Sequence, residues 1–498
     1  MKKKLMLNTV SSLALQAVTV ICGFILPRLI LQFYGSEVNG LVQSITQFLG
    51  IITLAELGIG QVIQSSLYKP IAKKDNDGIS CVVSSGEKFF RKIAIILLFY
   101  VAVLVVFYPY IINDSHDWLY IATLVLAISI SSFAQYYFGI IDKILLNADQ
   151  RGYIHYFSQI VVLVINTVAC VILVKCGATI QLVKLVTSIL FLIRPIAVRL
   201  YINKFYALNR KIRYTEEPIK QKWNGMVQHI AAFVLDGTDN IVLTLFSTLQ
   251  SVSIYSVYNI VIYGLRQLYQ SAIAGVHSII GELWAKKEIE RLNKIFGFVE
   301  ITLHFSTVFL FGCTAVLILP FVEVYTYGIT DVQYIQPTFA YLIIAAHTCT
   351  CLKSTYNMLI LAGGHYKQTQ KCHIVTATLN IVISVVGVIF WGIVGVALGT
   401  LISMAYQLVW MAYYTSQNLL KWPFKNFLKQ ICLDLLIFAL IFFTTSWIKM
   451  SDVTYLQWFV MALKVASISF VVVLCVLFLF YRSQITQLFK YIFKRFKS

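Results

Sequence analysis

Fourteen runs of about twenty apolar residues, each long enough to cross a bilayer as a helix, recur along this chain. They lie near 8–32, 41–66, 93–112, 118–141, 154–174, 179–198, 226–248, 252–280, 301–322, 336–361, 373–391, 394–416, 430–448 and 457–481. Membrane-barrel strands would be half as long and alternate in polarity, so the runs specify helices. In hydrocarbon every backbone N–H and C=O needs a partner, and a helix supplies one within its own segment. Composition agrees: 59% of the 498 residues are apolar and 12% charged, against about 25% charged in a soluble chain. A water-soluble globular enzyme and a disordered chain are both excluded.

The few charges are lopsided, with 40 Lys plus Arg against 21 Asp plus Glu. On a soluble protein the net +19 would suggest nucleic acid. Here 32 of the 40 cations fall at the termini and in alternate connections, while the opposite connections hold only Lys175 and Lys449. By the positive-inside rule both termini are then cytoplasmic, the number of spans is even, and no nucleic-acid partner is implied. Met1-Lys2-Lys3-Lys4 mimics a signal peptide. The apolar region after it runs on from Leu5 to Phe33 without a small-x-small site, so an uncleaved first span is expected. No connection exceeds about thirty residues, which leaves no room for a folded catalytic domain. Any function therefore belongs to the bundle, and transport rather than enzymatic catalysis is expected. The ten cysteines show no pairing pattern, and neither they nor His229, His277, His304, His347 and His373 show metal-ligand spacing.

An internal repeat is visible. Ala72-Lys73-Lys74-Asp75 returns as Ala285-Lys286-Lys287-Glu288 at an offset of 213. Ala148, in Leu146-Asn147-Ala148-Asp149-Gln150, matches Ala362, in Leu361-Ala362-Gly363-Gly364, and Asn166 matches Asn380, both at 214; Ser188 matches Ser403 at 215. Six runs separate the copies, so the repeats are parallel. The expected organisation is a six-helix half over 1–213, a second over 214–425, and an additional helix pair with a basic tail over 426–498.

Several short motifs then stand out: Pro27-Arg28; Tyr34-Gly35 with Asn39-Gly40; Leu57-Gly58-Ile59-Gly60; Leu146-Asn147-Ala148-Asp149-Gln150-Arg151; and Asp239-Asn240-Ile241-Val242-Leu243. With the span count and the repeat, the chain resembles the polysaccharide (Wzx-type) flippases of the multidrug/oligosaccharidyl-lipid/polysaccharide (MOP) exporter superfamily. The resemblance implies an all-α polytopic membrane protein of about fourteen helices, with two MATE-like lobes around a central cavity plus two additional helices. It implies movement of undecaprenyl-pyrophosphate-type lipid-linked oligosaccharide from the inner to the outer leaflet of a bacterial cytoplasmic membrane, by alternating access, for surface polysaccharide export. Polysaccharide polymerase and chain-length machinery would be its partners. No cofactor is expected; coupling to protons, to sodium or to the membrane potential stays open. A lipid II flippase and a multidrug exporter of the same superfamily remain alternatives. A membrane glycan polymerase fits less well, because the outward connections are short and nearly free of cations.

Charge inside a bilayer is costly and marks a cavity or a partner. The cations within the runs are Arg28, Lys184, Arg194, Arg266, Lys353 and Lys464; the acids are Glu56, Asp236, Asp239 and Asp434. Arg266 lies about 14 residues into its run, roughly 21 Å deep, where snorkelling is difficult. Its guanidinium would hold phosphate oxygens bidentately or pair with Asp236 or Asp239. Arg28, Arg194 and Lys353 are the further candidates for a cationic substrate cavity, with snorkelling as the alternative for the two arginines. Asp236 and Asp239 share a helix face, and with Glu56 they would serve in ion coupling or as counter-ions. Tyr255, Tyr258, Tyr263 and Tyr269 would stack on sugar rings or simply pack.

Overall fold

The computed structural model describes residues 2–55, 59–112, 117–210, 212, 226–420 and 423–496. Among them there is no strand, and fifteen α-helices follow one another. These are α1 (Lys2–Gly50), α2 (Ile59–Lys73), α3 (Asn76–Ile111), α4 (Trp118–Ala134), α5 (Ile140–Ala148), α6 (Gly152–Lys175), α7 (Ile180–Phe205), α8 (Met226–Phe246), α9 (Leu249–Ala285), α10 (Ile289–Tyr325), α11 (Pro337–Ala362), α12 (Tyr366–Trp391), α13 (Ile393–Asn418), α14 (Phe424–Thr445) and α15 (Tyr455–Phe496). A 3-10 turn, Ile51–Ala55, follows α1, and a π-helical turn, Gln135–Gly139, joins α4 to α5.

Where described, the apolar runs fall on these helices; the first lies in α1, and the second begins in α1 and ends in α2. Among the described residues, ten helical segments are long and apolar enough to cross a membrane, Met6–Leu54 counting as one. Among the described residues α9 and α11 are not among the ten. They carry Arg266, and His347 with Lys353.

Two compact units are present, Met1–Ile254 and Tyr255–Ser498. In the first, α1 packs on α6, α4 on α7, and α3 on α4, around a core that includes Leu41, Ile45, Ile63, Leu97 and Leu145. In the second, α13 packs on α11 and α12, while α10 packs on α11, α14 and α15. The expected boundary at 213/214 lies outside the described residues.

The turns carry the repeat seen in the sequence. Left-handed backbone occurs at Lys74 and Lys287, at Gln150 and Gly364, and at Gly177 and Gly392. These pairs are separated by 213, 214 and 215 residues, the offsets of the sequence matches. In the first two pairs the next residue's N–H closes the helix end by bonding the carbonyl five residues back: Asp75 to Pro70, Glu288 to Leu283, Arg151 to Leu146 and His365 to Ile360. That is the Schellman ending, and it explains why short, polar, left-handed-tolerant sequence recurs there.

The motif around Tyr34 is structural. Gly35 has φ 82, which splits α1 into two arms. Tyr34 Oη donates to the Ala178 carbonyl at 2.6 Å, and Asn39 Nδ2 donates to Ser253 Oγ at 2.8 Å. A Cβ on Gly40 would lie 1.8 Å from the Leu249 carbonyl oxygen, so only glycine lets the start of α9 approach α1. The Asp149-Gln150-Arg151 motif is likewise a clamp. Asp149 accepts from Arg151 Nε at 2.9 Å and from Tyr206 Oη at 2.5 Å. Burial, then the hydrogen bond to Asp149, pushes the Tyr206 phenol well up, so it stays a neutral donor.

Candidate functional site

Helix α9 is fixed in the second unit by its tyrosines. Tyr258 Oη donates to the Tyr334 carbonyl at 2.8 Å and accepts from the Gln336 N–H at 3.0 Å. Tyr269 Oη donates to the Cys351 carbonyl on α11 at 2.9 Å. Tyr255 is buried against Phe339, whereas Tyr263 is exposed. Of the two alternatives for the four tyrosines, three thus take packing.

This packing sets Arg266 of α9 beside α11, where Arg266 and Lys353 both act electrostatically on His347 and Cys351. His347 is 7% exposed, and neither ring nitrogen has a hydrogen-bond partner among the described residues. Lys353 Nζ donates to Gln407 Oε1 of α13 and lies 3.7 Å from Met404 Sδ. Gln407, fully buried, bonds through Nε2 to His373 Nδ1 of α12 at 3.1 Å. Four helices therefore bring a guanidinium, an amine, two imidazoles and an amide to one region. Such a set supplies N–H donors and positive charge suited to phosphate oxygens.

The first unit holds the other candidates. Arg28 is half-buried on α1, just after Pro27, which lies inside that helix. Arg194 of α7 donates to Gln135 Oε1 at 3.2 Å, and Pro195 beside it packs against Gly139. Both contacts are to the π-helical turn, a local distortion often found near functional positions. Asp239 is 3% exposed on α8. Glu56 and the side chain of Asp236 lie outside the described residues. The structure thus brings Arg266 and Lys353 together and places Arg28, Arg194 and Asp239 on three separate helices of the other unit.

No family model matches the sequence, and no curated protein matches it. Solved structures do. The eukaryotic MATE transporter AtDTX14 aligns with TM-score 0.58 at 11% identity, over 87% of this chain and 98% of that one. The Vibrio cholerae MATE transporter VcmN aligns with TM-score 0.55 at 13% identity, over 84% and 99%. A MOP superfamily transporter from Pyrococcus furiosus, described by a binding pocket of reverse polarity, aligns with TM-score 0.54 at 14% identity, over 83% and 96%. The chain has the MATE fold.

Two buried polar networks in this MATE fold were not singled out from sequence. In the first unit Glu87 (α3) and Asp142 (α5) are held by Arg199 (α7) and Arg210. Arg199 Nη1 lies 2.7 Å from Glu87 and 3.3 Å from Asp142; Arg210 bonds Glu87 and lies 2.9 Å from Asp142. In the second unit Tyr356 Oη donates to Glu300 Oε1 at 2.7 Å. His304 Nε2 is 3.1 Å from that hydroxyl, and Nδ1 is 2.6 Å from Asp434 Oδ2. Gln430 Nε2 donates to Asp434 at 3.2 Å, and Gln430 Oε1 accepts from Tyr481 Oη at 2.6 Å. One sequence signal was available: Glu87-x-x-x-Arg91 and Glu300-x-x-x-His304 stand 213 residues apart, the offset of the Lys-Lys turns.

Proposed function

We propose that this chain is a flippase that moves a polyprenyl-pyrophosphate-linked oligosaccharide from the inner to the outer leaflet. The observation that carries this reading is the grouping of Arg266 and Lys353 with His347, Gln407 and His373 on four spans of a MATE fold. An unneutralised pyrophosphate in hydrocarbon is prohibitive, so a carrier of such a lipid needs fixed cations along the headgroup's path. The Pyrococcus furiosus neighbour, described by a pocket of reverse polarity, supports the idea that this fold serves more than one sign of charge. In the mechanism the headgroup sits against the cations while the polyprenyl tail stays in lipid. The two six-helix halves, 1–213 and 214–425, rock to change its exposure. Both termini face the cytoplasm, and Asp239 with Asp236 and Glu56 serves coupling or charge balance.

Drug export is the second reading, favoured by a solved neighbour described as a multidrug resistance MATE transporter at TM-score 0.53. Proteoliposomes separate the two. The protein is reconstituted with undecaprenyl-pyrophosphate-linked N-acetylglucosamine, and outer-leaflet headgroups are counted with a membrane-impermeant galactosyltransferase; ethidium efflux is run in parallel. Arg266→Ala removes charge-assisted contacts worth about 1.5–3 kcal/mol, so headgroup transfer falls roughly 10- to 100-fold. Arg266→Lys keeps the charge, loses the fork, and retains part of the rate. Undiminished transfer by both Arg266→Ala and Lys353→Ala, at wild-type protein levels, refutes the headgroup role. Ethidium efflux without lipid transfer by the wild type selects the exporter reading.

A further inference from the structure

We propose that Glu300, Tyr356, His304 and Asp434 form a proton-binding site that ties the α14–α15 pair to α10 and α11. A count of hydrogen atoms leads there. Three contacts run in series: Asp434 Oδ2 to His304 Nδ1, His304 Nε2 to Tyr356 Oη, and Tyr356 Oη to Glu300 Oε1, at 2.6, 3.1 and 2.7 Å. Each needs one proton between its heavy atoms. With both carboxylates ionised, Tyr356 supplies one and a neutral imidazole supplies one. The third must be taken up from water, giving an imidazolium between two carboxylates or its tautomer with one carboxyl protonated. The geometry described is therefore the proton-loaded state. Release of that proton to water leaves two lone pairs facing each other at one of the three contacts, and that contact must open.

The balance of charge points the same way. Glu300, His304 and Asp434 are 2%, 0% and 5% exposed. Without the extra proton the trio carries two negative charges, and with it one. Several described side chains surround the trio. From α9 comes the neutral phenol of Tyr269, and from α11 that of Tyr356. From α14 come the amide of Gln430 and the exposed Lys429, whose Nζ stands 5.3 Å over the Tyr481 ring of α15. From α10 comes Lys294, also exposed.

The first unit supplies the contrast. Glu87, Arg91 and Asp142 are the counterparts of Glu300, His304 and Tyr356 at offsets of 213, 213 and 214. There the acids are met by Arg199 and Arg210, which never release their protons. The same positions meet arginines in one copy and an imidazole and a phenol in the other.

A route to water is present. A cavity of about 310 Å³ is lined by Glu300, Gln430 and Tyr481 of the network and by Asn293, Lys294 and Lys429. That is room for several water molecules at about 30 Å³ each. Glu300 is both a wall of the cavity and one end of the chain, so protons enter there and reach Asp434 through Tyr356 and His304. The grip of the α14–α15 pair on α10 then depends on proton occupancy, whatever cargo is carried.

Infrared difference spectra of the full chain in lipid nanodiscs, between about pH 9 and about pH 5, read the carboxyl groups directly. In parallel, ¹³C-histidine NMR reads His304, assigned by its loss in His304→Gln. On acidification a protonated-carboxyl band or a His304 shift is expected, and Asp434→Asn or Glu300→Gln moves its midpoint by at least tenfold in proton concentration. Glu87→Gln leaves it in place. Tyr356→Phe, which keeps both acids and the ring, substitutes where an acid variant does not fold, and it too moves the midpoint. The proposal is overturned if neither the carboxyl nor the His304 signal changes over this range, or if the midpoint ignores Asp434→Asn, Glu300→Gln and Tyr356→Phe. Since no cargo is added, this outcome leaves the flippase reading untouched.

Discussion

Arg210 gives the sharpest test of how the first unit is held. Its guanidinium bonds Glu87 and lies 2.9 Å from Asp142, carboxylates whose side chains are 7% and 0% exposed. Arg210→Ala leaves Arg199 alone against two buried negative charges. Removing one partner of a buried pair costs about 3–5 kcal/mol, because the survivor keeps its desolvation penalty. Arg91, 3.6 Å from Glu87 and half exposed, and the 15% exposure of Arg210 itself both soften the loss. We therefore expect the low end, about 3 kcal/mol, which is roughly a hundredfold in the local opening equilibrium. Adding Asp142→Asn restores one cation to one carboxylate and recovers about 2 kcal/mol, a non-additivity that only direct coupling produces. Amide exchange in α3 and α7 peptides reads this opening. Protection within about 0.5 kcal/mol of wild type in Arg210→Ala, or a double variant no better protected than the single, refutes the charge-balance reasoning.

Two further perturbations test the packing. Gly40→Ala puts a methyl 1.8 Å from the Leu249 carbonyl oxygen and forces α1 from the start of α9. A loss of about 2 kcal/mol or more is expected, together with slower disulfide formation between cysteines introduced at positions 39 and 253 than with Gly40 intact. Tyr258→Phe strips the Tyr334 carbonyl and the Gln336 N–H of one buried partner. About 1–3 kcal/mol is expected, seen as faster exchange at residues 334–336 with α12 and α13 unchanged.

Much of the fold was legible because hydrocarbon admits one local solution for a long apolar run, and hydropathy finds it. The repeat was legible because a left-handed helix ending restricts which residues stand there. Lys74 with Lys287 and Gln150 with Gly364 fall at such endings, inside or beside the matches. The gap between the first two apolar runs, 33–40, holds the break at Gly35, so the interruption was legible; that helix resumes directly on either side of it was not. Nor was either buried network. Helix α3 begins at Asn76, well before its apolar run at 93, so Glu87 looked like a loop charge when it lies on a buried helix face. Glu300 sits in the same way just ahead of the run that starts at 301. Average hydropathy discards such residues at run edges; which partners meet them is decided by other helices, Arg199 on α7 in one case and Asp434 on α14 in the other.

That difference shows how a duplicated scaffold becomes asymmetric. The acid just ahead of the third apolar run of each repeat needs a counter-group, because it is buried in both copies. Arginines from α7 and from the segment after it fill the need in the first unit. In the second unit the position of Arg91 is His304 and that of Asp142 is Tyr356, so no permanent charge from those two positions answers Glu300. The hydrogen-bonded chain is instead extended from outside the repeat, by Asp434 and Gln430 of α14 and Tyr481 of α15. A helix pair that joined only by apolar contact would be indifferent to proton concentration. One that completes a titratable chain makes its own attachment depend on it, and that dependence gives the α14–α15 pair a reason to pack where it does.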